Sequence, residues 1–112
     1  MSTNLGILYA GGNTVNPTTG TVLVTTGDLS AGYYMFQATF AASVASSFNY
    51  EILNAADTVM QTVIIRLAAN RTETIPLGYI PIGNNWEIRV RPMGNITGQV
   101  SVSIIAILGG VA

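Results

Sequence analysis

The sequence contains no cysteine and no histidine, and arginine is its only basic residue type. Only 8% of its 112 residues are charged, whereas an ordinary soluble domain has about 25%. Without cysteine, the chain forms no disulfide and no cysteine-based metal site. Without cysteine, histidine or lysine, it lacks the side chains that most often serve as catalytic nucleophile or base. These absences predict a protein without enzymatic activity, metal or cofactor.

The few charges that are present nearly cancel. Four arginines face five acidic residues, and the net charge is −1 at pH 7. Nucleic-acid binding depends on several cationic contacts to phosphate, so we do not expect it here. A net charge near zero also removes the repulsion that keeps copies of a protein apart. The composition therefore favours association with other subunits.

The N-terminal sequence MSTNLGILYAGGNTVNP lacks the basic start and the continuous apolar stretch of a secretory signal. No segment approaches the roughly 18 consecutive apolar residues that a membrane-spanning helix needs. We therefore expect neither a secretion signal nor a membrane partner.

Apolar residues recur with a period of two in segment after segment, which is typical of half-buried strands. Eight or nine short strands separated by turn residues predict an all-β, antiparallel two-sheet sandwich of the jelly-roll kind. We expect residues 1–19 to form an N-terminal strand or extended arm and residues 20–112 to form the sandwich domain. The predicted strands are Leu5–Ala10, Thr21–Thr26, Tyr33–Ala42, Phe48–Leu53, Val59–Leu67, Thr72–Leu77, Gly78–Ile82, Trp86–Pro92 and Gln99–Leu108.

Turn composition adds three local expectations. Residues 54–57 predict a hairpin between two strands, and residues 93–98 predict a second hairpin at the C-terminal end. Pro76 and Pro81 restrict their segment to a sheet edge or a strand end. The stretch 11–20, rich in glycine, asparagine and threonine, is the best candidate for a flexible segment.

The carboxylates have structural explanations. Asp28 and Asp57 lie in predicted turns, where aspartate hydrogen bonds to the backbone. Glu87 and Arg89 are neighbours on one side of their strand, and we expect a weak pair worth about 0–1 kcal/mol. Glu51 alternates outward from a buried row. No carboxylate pair, calcium-binding pattern or phosphate-binding glycine loop stands out, so we assign no catalytic, cofactor-binding or metal-binding residue.

Two strands are apolar on both sides, although the outer face of a sandwich strand is normally polar. In Gln99–Leu108, Ile105 and Ile107 lie opposite the inward row, and in Val59–Leu67 the same holds for Met60 and Ile64. Leaving such a side chain in water forfeits about 1.5 kcal/mol or more. Something is therefore expected to cover Ile105 and Ile107. The two alternatives are the chain's own N-terminal residues Leu5, Ile7, Leu8 and Tyr9, or another subunit.

Three aromatic residues are candidates for stacking on sugars. Trp86 alternates with buried positions, so we expect it in the core, whereas Tyr33 and Tyr79 flank turns and are open to solvent or to a partner. A carbohydrate-binding or fibre and tail module is accordingly the alternative function.

Three segments resemble a known class of proteins in the spacing of their strands and in composition: GDLSAGYYMFQATFAAS, FNYEILNAADTVMQTVIIRL and NNWEIRVRPMGNITGQVSVSIIAI. Together they resemble small β-sandwich virion proteins of tailed bacteriophages, the head decoration or cement class. The resemblance implies a non-enzymatic, trimeric or multivalent protein that binds and stabilises an assembled capsid shell. It implies the virion surface as location, assembly in the host cytoplasm, and as partners a major capsid protein and further copies of the chain.

Directional contacts with such a partner fall to the arginines. Arg66, Arg89 and Arg91 are the candidate anchors for carboxylates on a partner, and ion pairing within the chain is the alternative. The complete set of candidate contact residues is Leu5, Ile7, Leu8, Tyr9, Tyr33, Arg66, Tyr79, Arg89, Arg91, Ile105 and Ile107.

Overall fold

A computed structural model describes residues 7–111, and within its strands it describes the side chains of all but residues 7–9, 77, 110 and 111. These residues form eight strands in chain order. The strands are β1 (Ile7–Val15), β2 (Val24–Thr25), β3 (Gly32–Ala42), β4 (Ser46–Leu53), β5 (Val59–Leu67), β6 (Arg71–Ile82), β7 (Glu87–Pro92) and β8 (Gln99–Val111).

The strands of residues 7–111 form two four-stranded antiparallel sheets. The first sheet has the order β1-β8-β3-β6 and the second has the order β2-β7-β4-β5. Eight strands divided between two packed sheets in this way form a jelly roll. The predicted all-β, two-sheet, jelly-roll-like sandwich is thereby confirmed.

Alternating side chains of both sheets form one core between them. Phe36 and Phe40 on β3 are fully buried, and the Phe40 ring contacts Phe48 of the second sheet with ring centroids 5.3 Å apart. On β8, every second residue from Val100 to Ala106 is buried. The outward residues of the same strands therefore decide what the surface of the sandwich offers to a partner.

The hairpin predicted at residues 54–57 is confirmed, because β4 and β5 pair along their length. The side chain of Asn54 accepts hydrogen bonds from the backbone N–H groups of Ala56 and Thr58, at 2.9 and 3.0 Å. The C-terminal hairpin is wrong, since β7 lies in the second sheet and β8 in the first. The connection between them carries Ile96, which is buried, and its N–H donates to the carbonyl of Pro17. Burial of Ile96 and its hydrogen bond to Pro17 hold the β7–β8 connection in place as it passes from the second sheet to the first.

Two expectations for the N-terminal part need correction. Residues 11–15, predicted as flexible, belong to β1, and β1 pairs with β8 from Ile7↔Ile107 to Val15↔Gln99. The strand predicted at Thr21–Thr26 shortens to β2. Leu5 lies outside the described residues. Backbone pairing fixes the position of the Gly11-Gly12 segment even though its composition is typical of a loop.

The two segments predicted around Pro76 and Pro81 are one strand, β6, which forms an edge of the first sheet as the prolines require. The β3–β6 register shifts between Phe36 and Gln37, where Phe36 pairs with Gly78 and Gln37 pairs with Pro76. Gly78 has a φ of 72°, in the left-handed region that favours glycine. The irregularity lets the strand continue past its first proline.

Tyr50 presents a buried polar group inside this core. Its side chain is 1% exposed, and its hydroxyl makes no hydrogen bond with any described residue. Burial raises the pKa of this hydroxyl well above its ordinary value. We predict that Tyr50→Phe leaves the free energy of unfolding unchanged or increases it by up to about 1 kcal/mol, because an unpaired buried hydroxyl costs desolvation energy. Urea unfolding measures the difference.

Tyr34 is the matched control, since its hydroxyl donates to the carbonyl of Ser30 at 2.7 Å. Tyr34→Phe removes the same atom and should cost about 1 kcal/mol. The prediction is contradicted if Tyr50→Phe lowers the free energy of unfolding as much as Tyr34→Phe does.

Candidate functional site

The outer face of the first sheet carries no charged residue among its described side chains. The strand registers place on it the odd-numbered residues of β3 and β8 together with their neighbours on β6 and β1. We call this surface the charge-free face. Its described members are Gly11, Asn13, Val15, Tyr33, Met35, Gln37, Thr39, Ala41, Thr72, Thr74, Pro76, Tyr79, Pro81, Gln99, Ser101, Ser103, Ile105 and Ile107.

One end of the charge-free face is apolar. Tyr33 is 51% exposed and Tyr79 is 68% exposed, while Ile105 and Ile107 are half-buried. Tyr79 lies on β6, but its ring reaches across β3 to β8, where a Cβ at Gly109 would come within 2.8 Å of its Cε1 atom. The ring therefore lies along the sheet and exposes a flat surface. It lies beside Met35, which pairs with Tyr79 on one side and with Ile107 on the other.

The other end of the face presents hydroxyl and amide groups. The hydroxyls of Thr39 and Thr74 lie 3.0 Å apart across β3 and β6. A surface hollow at this end is lined by Ala41, Ala42, Ser43, Asn70, Arg71, Thr72, Gln99 and Ser101. Arg71, at the start of β6, is the one charged residue of the lining, which contains neither a carboxylate nor an aromatic ring. The hollow therefore offers hydrogen bonds and one cation at the rim of the charge-free face, but no acid–base pair and no stacking surface.

The outer face of the second sheet carries most of the charge. Glu51 on β4 is 4% exposed, and Arg89 and Arg91 of the neighbouring strand β7 both bind it. Arg89 Nε donates to Glu51 Oε1 at 2.9 Å, while Arg91 donates to Oε1 through Nε at 2.6 Å and to Oε2 through Nη2 at 2.7 Å. The bidentate contact is the strong form of an arginine–carboxylate pair.

The two arginines set the ionisation of Glu51. Burial raises its pKa, but the hydrogen bonds and charges of Arg91 and Arg89 outweigh burial and hold the pKa of Glu51 below its ordinary value. The hydrogen bond to Glu51 likewise raises the pKa of Arg91. The group is an ion-paired structural cluster that ties β4 to β7.

The structure corrects the expected Glu87–Arg89 pair. Arg89 binds Glu51 instead, and Glu87 accepts a hydrogen bond from Thr25 at 2.6 Å. Residues two apart on one strand point the same way, but a residue directly opposite on the next strand lies closer. Sequence reasoning noted that Glu51 points outward and missed its partners, because strand neighbours are not visible in a single sequence.

The candidate contact residues divide between two surfaces. Tyr33, Tyr79, Ile105 and Ile107 come together on the charge-free face, as stated above. Arg66 lies on the outer face of the second sheet and makes no ion pair with a described residue, whereas Arg89 and Arg91 are engaged within the chain. Ile7, Leu8 and Tyr9 lie in β1, and Leu5 lies outside the described residues.

Trp86 is half-buried and packs against the core, close to its expected place. Its ring lies against Gly83, where a Cβ would come within 2.5 Å of its Nε1. Trp86 is therefore not part of the charge-free face, and of the three aromatic residues considered for sugar stacking only Tyr33 and Tyr79 lie together there.

Residues 7–111 bring together no group of three or more side chains of the metal-binding types His, Cys, Asp and Glu. They also include no helix with the length and apolar character needed to cross a bilayer.

Comparison with known proteins defines the fold class. No protein-family model matches the chain, and no curated protein matches it. The globular domain of zebrafish complement 1qA protein aligns with a TM-score of 0.66 at 7% identity, over 95% of this chain and 98% of that one.

Carbohydrate-binding modules align as well. The C-terminal family 22 carbohydrate-binding module of Clostridium thermocellum Xyn10B aligns with a TM-score of 0.61 at 13% identity, over 99% of this chain and 86% of that one. A CBM4 module aligns with a TM-score of 0.61 at 15% identity, over 88% of this chain and 70% of that one. At these identities the likeness establishes the jelly-roll sandwich fold and nothing finer.

The Glu51 cluster makes a pH-dependent contribution to stability. We predict that Glu51→Gln lowers the free energy of unfolding at pH 7 by about 1–3 kcal/mol, since it removes charged hydrogen bonds to two partly buried arginines. Because the pKa of Glu51 is lowered in the folded state, its contribution is present above the unfolded value of about 4.3 and is lost as the pH falls through the folded value. Urea unfolding at several pH values measures both effects.

Glu73 is the control, because it is exposed and makes no ion pair with a described residue. Glu73→Gln should change stability by less than about 0.5 kcal/mol at every pH. The wild type and Glu51→Gln should differ less in free energy of unfolding at pH 3 than at pH 7. A difference that stays constant over this range would contradict the assigned ionisation of Glu51.

Proposed function

We propose that this chain is a non-enzymatic structural virion protein that self-associates and stabilises an assembled capsid shell from the virion surface. One observation carries the proposal: a whole sheet face without charge, with exposed tyrosines and half-buried isoleucines at one end and hydroxyl groups at the other. Neighbouring copies of the chain cover this face in a homo-oligomer, for which the resemblance to decoration proteins favours a trimer. The oligomer then binds the shell.

The dimensions of the charge-free face support this role. Four strands at a spacing of about 4.8 Å and a length of about 37 Å give an area of roughly 700 Å². A stable interface buries about 800 Å² per partner, so the face is close to the size that one contact needs. Hydroxyl and amide groups around an apolar centre are the usual anatomy of such an interface.

The distribution of charge supports the same assignment. Five of the charged side chains lie on the outer face of the second sheet, namely Glu51, Arg66, Glu87, Arg89 and Arg91. Burying that face would desolvate these ions, whereas the members of the charge-free face carry no charge and only Arg71 lies at its rim. The outer face of the second sheet therefore stays in contact with water, and the charge-free face contacts other subunits.

A charge introduced on the charge-free face should disrupt the oligomer. We predict that Ile105→Lys reduces the assembled fraction at micromolar concentration by about tenfold or more, because two copies would have to bury a lysine. Size-exclusion chromatography with light scattering measures the mass. Thr97→Lys, which adds the same charge to an exposed residue in the β7–β8 connection, should leave the assembly unchanged. A wild-type protein that stays monomeric at high micromolar concentration would refute self-association.

Binding to a shell is tested separately. The proposal expects the gene to lie among capsid, portal or terminase genes and the protein to co-sediment with shells assembled from the neighbouring capsid gene. Co-sedimentation that fails at saturating protein, while self-association persists, would refute the decoration role alone.

A carbohydrate-binding module is the second candidate, favoured by Tyr33 and Tyr79, which lie next to each other and expose flat rings. We predict that any glycan bound by the wild type on a glycan array loses about 1–3 kcal/mol of affinity in Tyr79→Ala, an amount typical of removing one aromatic stacking or anchor side chain. Tyr79→Phe keeps the ring and should keep most of the affinity. An array without hits would remove this candidate.

A further inference from the structure

We propose that the free edge of β5 pairs with β5 of a second copy of this chain, antiparallel and centred on Ile64, which extends the second sheet across a two-fold axis. This inference rests on the proposed function, because it supplies a second contact between copies in addition to the charge-free face.

Among the sheet edges of the described chain, β5 is the one best suited to accept another strand. β6 contains two prolines and an irregular register, both of which block strand addition. β2 has two residues. β1 also pairs with one strand only, β8, but the Gly11-Gly12 pair in its middle has no side chains to pack on an added strand. β5 pairs with β4 on one side and, in residues 7–111, with no strand on the other.

The side chains of β5 are unusually apolar for an exposed edge. Met60 is 54% exposed and Ile64 is 51% exposed. Arg66 is the strand's single charge, and the strand contains no proline. Natural edge strands usually carry lysine, proline or a bulge as protection against pairing. β5 does have a bulge, because its register with β4 passes over Met60, but the bulge lies near the start of the strand, and residues 61–67 pair one-to-one with β4.

Residues 61–67 are complementary to themselves when antiparallel. Centring the pair on Ile64 places Ile64 opposite Ile64 of the second copy and Thr62 opposite Arg66 of the second copy. No like charges meet, because the two Arg66 side chains lie about 14 Å apart along the ladder. The exposed Ile64 side chains cover each other, and the unpaired backbone groups of both edges gain hydrogen bonds. An isologous contact of this kind follows two-fold symmetry.

The absence of cysteine from the chain makes the register measurable by cross-linking. Opposite Cα atoms in antiparallel strands lie about 4.5–5.5 Å apart, within the range that a disulfide spans. Under mild oxidation at micromolar concentration, Ile64→Cys should form disulfide-linked dimers. Arg66→Cys alone should form no disulfide-linked dimer, because the two copies of residue 66 lie about 14 Å apart along the ladder. A mixture of Thr62→Cys and Arg66→Cys proteins should give the mixed dimer, identified by mass.

Charge substitution gives an independent measurement. Ile64→Lys places two lysines opposite each other and should weaken the contact by about tenfold or more, whereas Met60→Lys adds the same charge at the bulge and should weaken it far less. Analytical ultracentrifugation of the two variants measures the association constant.

The outcomes separate this inference from the proposed function. If Ile64→Cys stays unlinked, or Arg66→Cys links with itself to the same extent, the β5 contact is wrong, and an assembly that Ile105→Lys still disrupts leaves the proposed function intact. If Ile64→Cys links with the expected register while Ile105→Lys changes nothing, the β5 contact stands and the charge-free face is not the assembly surface.

Discussion

The pairing of β3 with β8 is the interaction on which the rest of the molecule depends. These two strands lie at the centre of the first sheet and pair from Gly32 to Ala42. Their inward residues form nearly half of the described core, and their outward residues form the centre of the charge-free face. Because side chains alternate along a strand, one register fixes both surfaces, and a slip by one residue would exchange them. The fold and the proposed contact surface therefore have the same structural origin.

Local pattern predicted the strands well and their neighbours poorly. The bounds of Val59–Leu67 agree with β5, and the strand predicted at Tyr33–Ala42 matches β3 to within one residue. The C-terminal hairpin failed because turn residues look alike whether a chain reverses within one sheet or crosses to the other. The Glu51 cluster was missed for a related reason, since its three members come from strands that are distant in sequence and adjacent in space.

The same reasoning explains what was predictable about the candidate site. Ile105 and Ile107 stood out because they break the alternation of their strand, and they prove half-buried on the surface of the first sheet. Their association with Tyr33 and Tyr79 required the strand order. A single sequence shows which residues of one strand share a side, but only backbone pairing shows which strands share a face. The division of charge between the two outer faces therefore becomes visible only once the strand order is known.

The position of β8 between β1 and β3 has a consequence for the order of events during synthesis. The first sheet cannot be completed until the ribosome has made nearly the whole described chain, because β8, which lies between β1 and β3, is the last strand in sequence. Until then, β3 can pair on one side only, with β6, and β1 has no partner strand, so loop closure over most of the chain length must precede the pairing of β1. Neighbouring nascent chains on one messenger RNA would expose these unpaired strands to one another, and the low charge of the chain provides little repulsion against their aggregation.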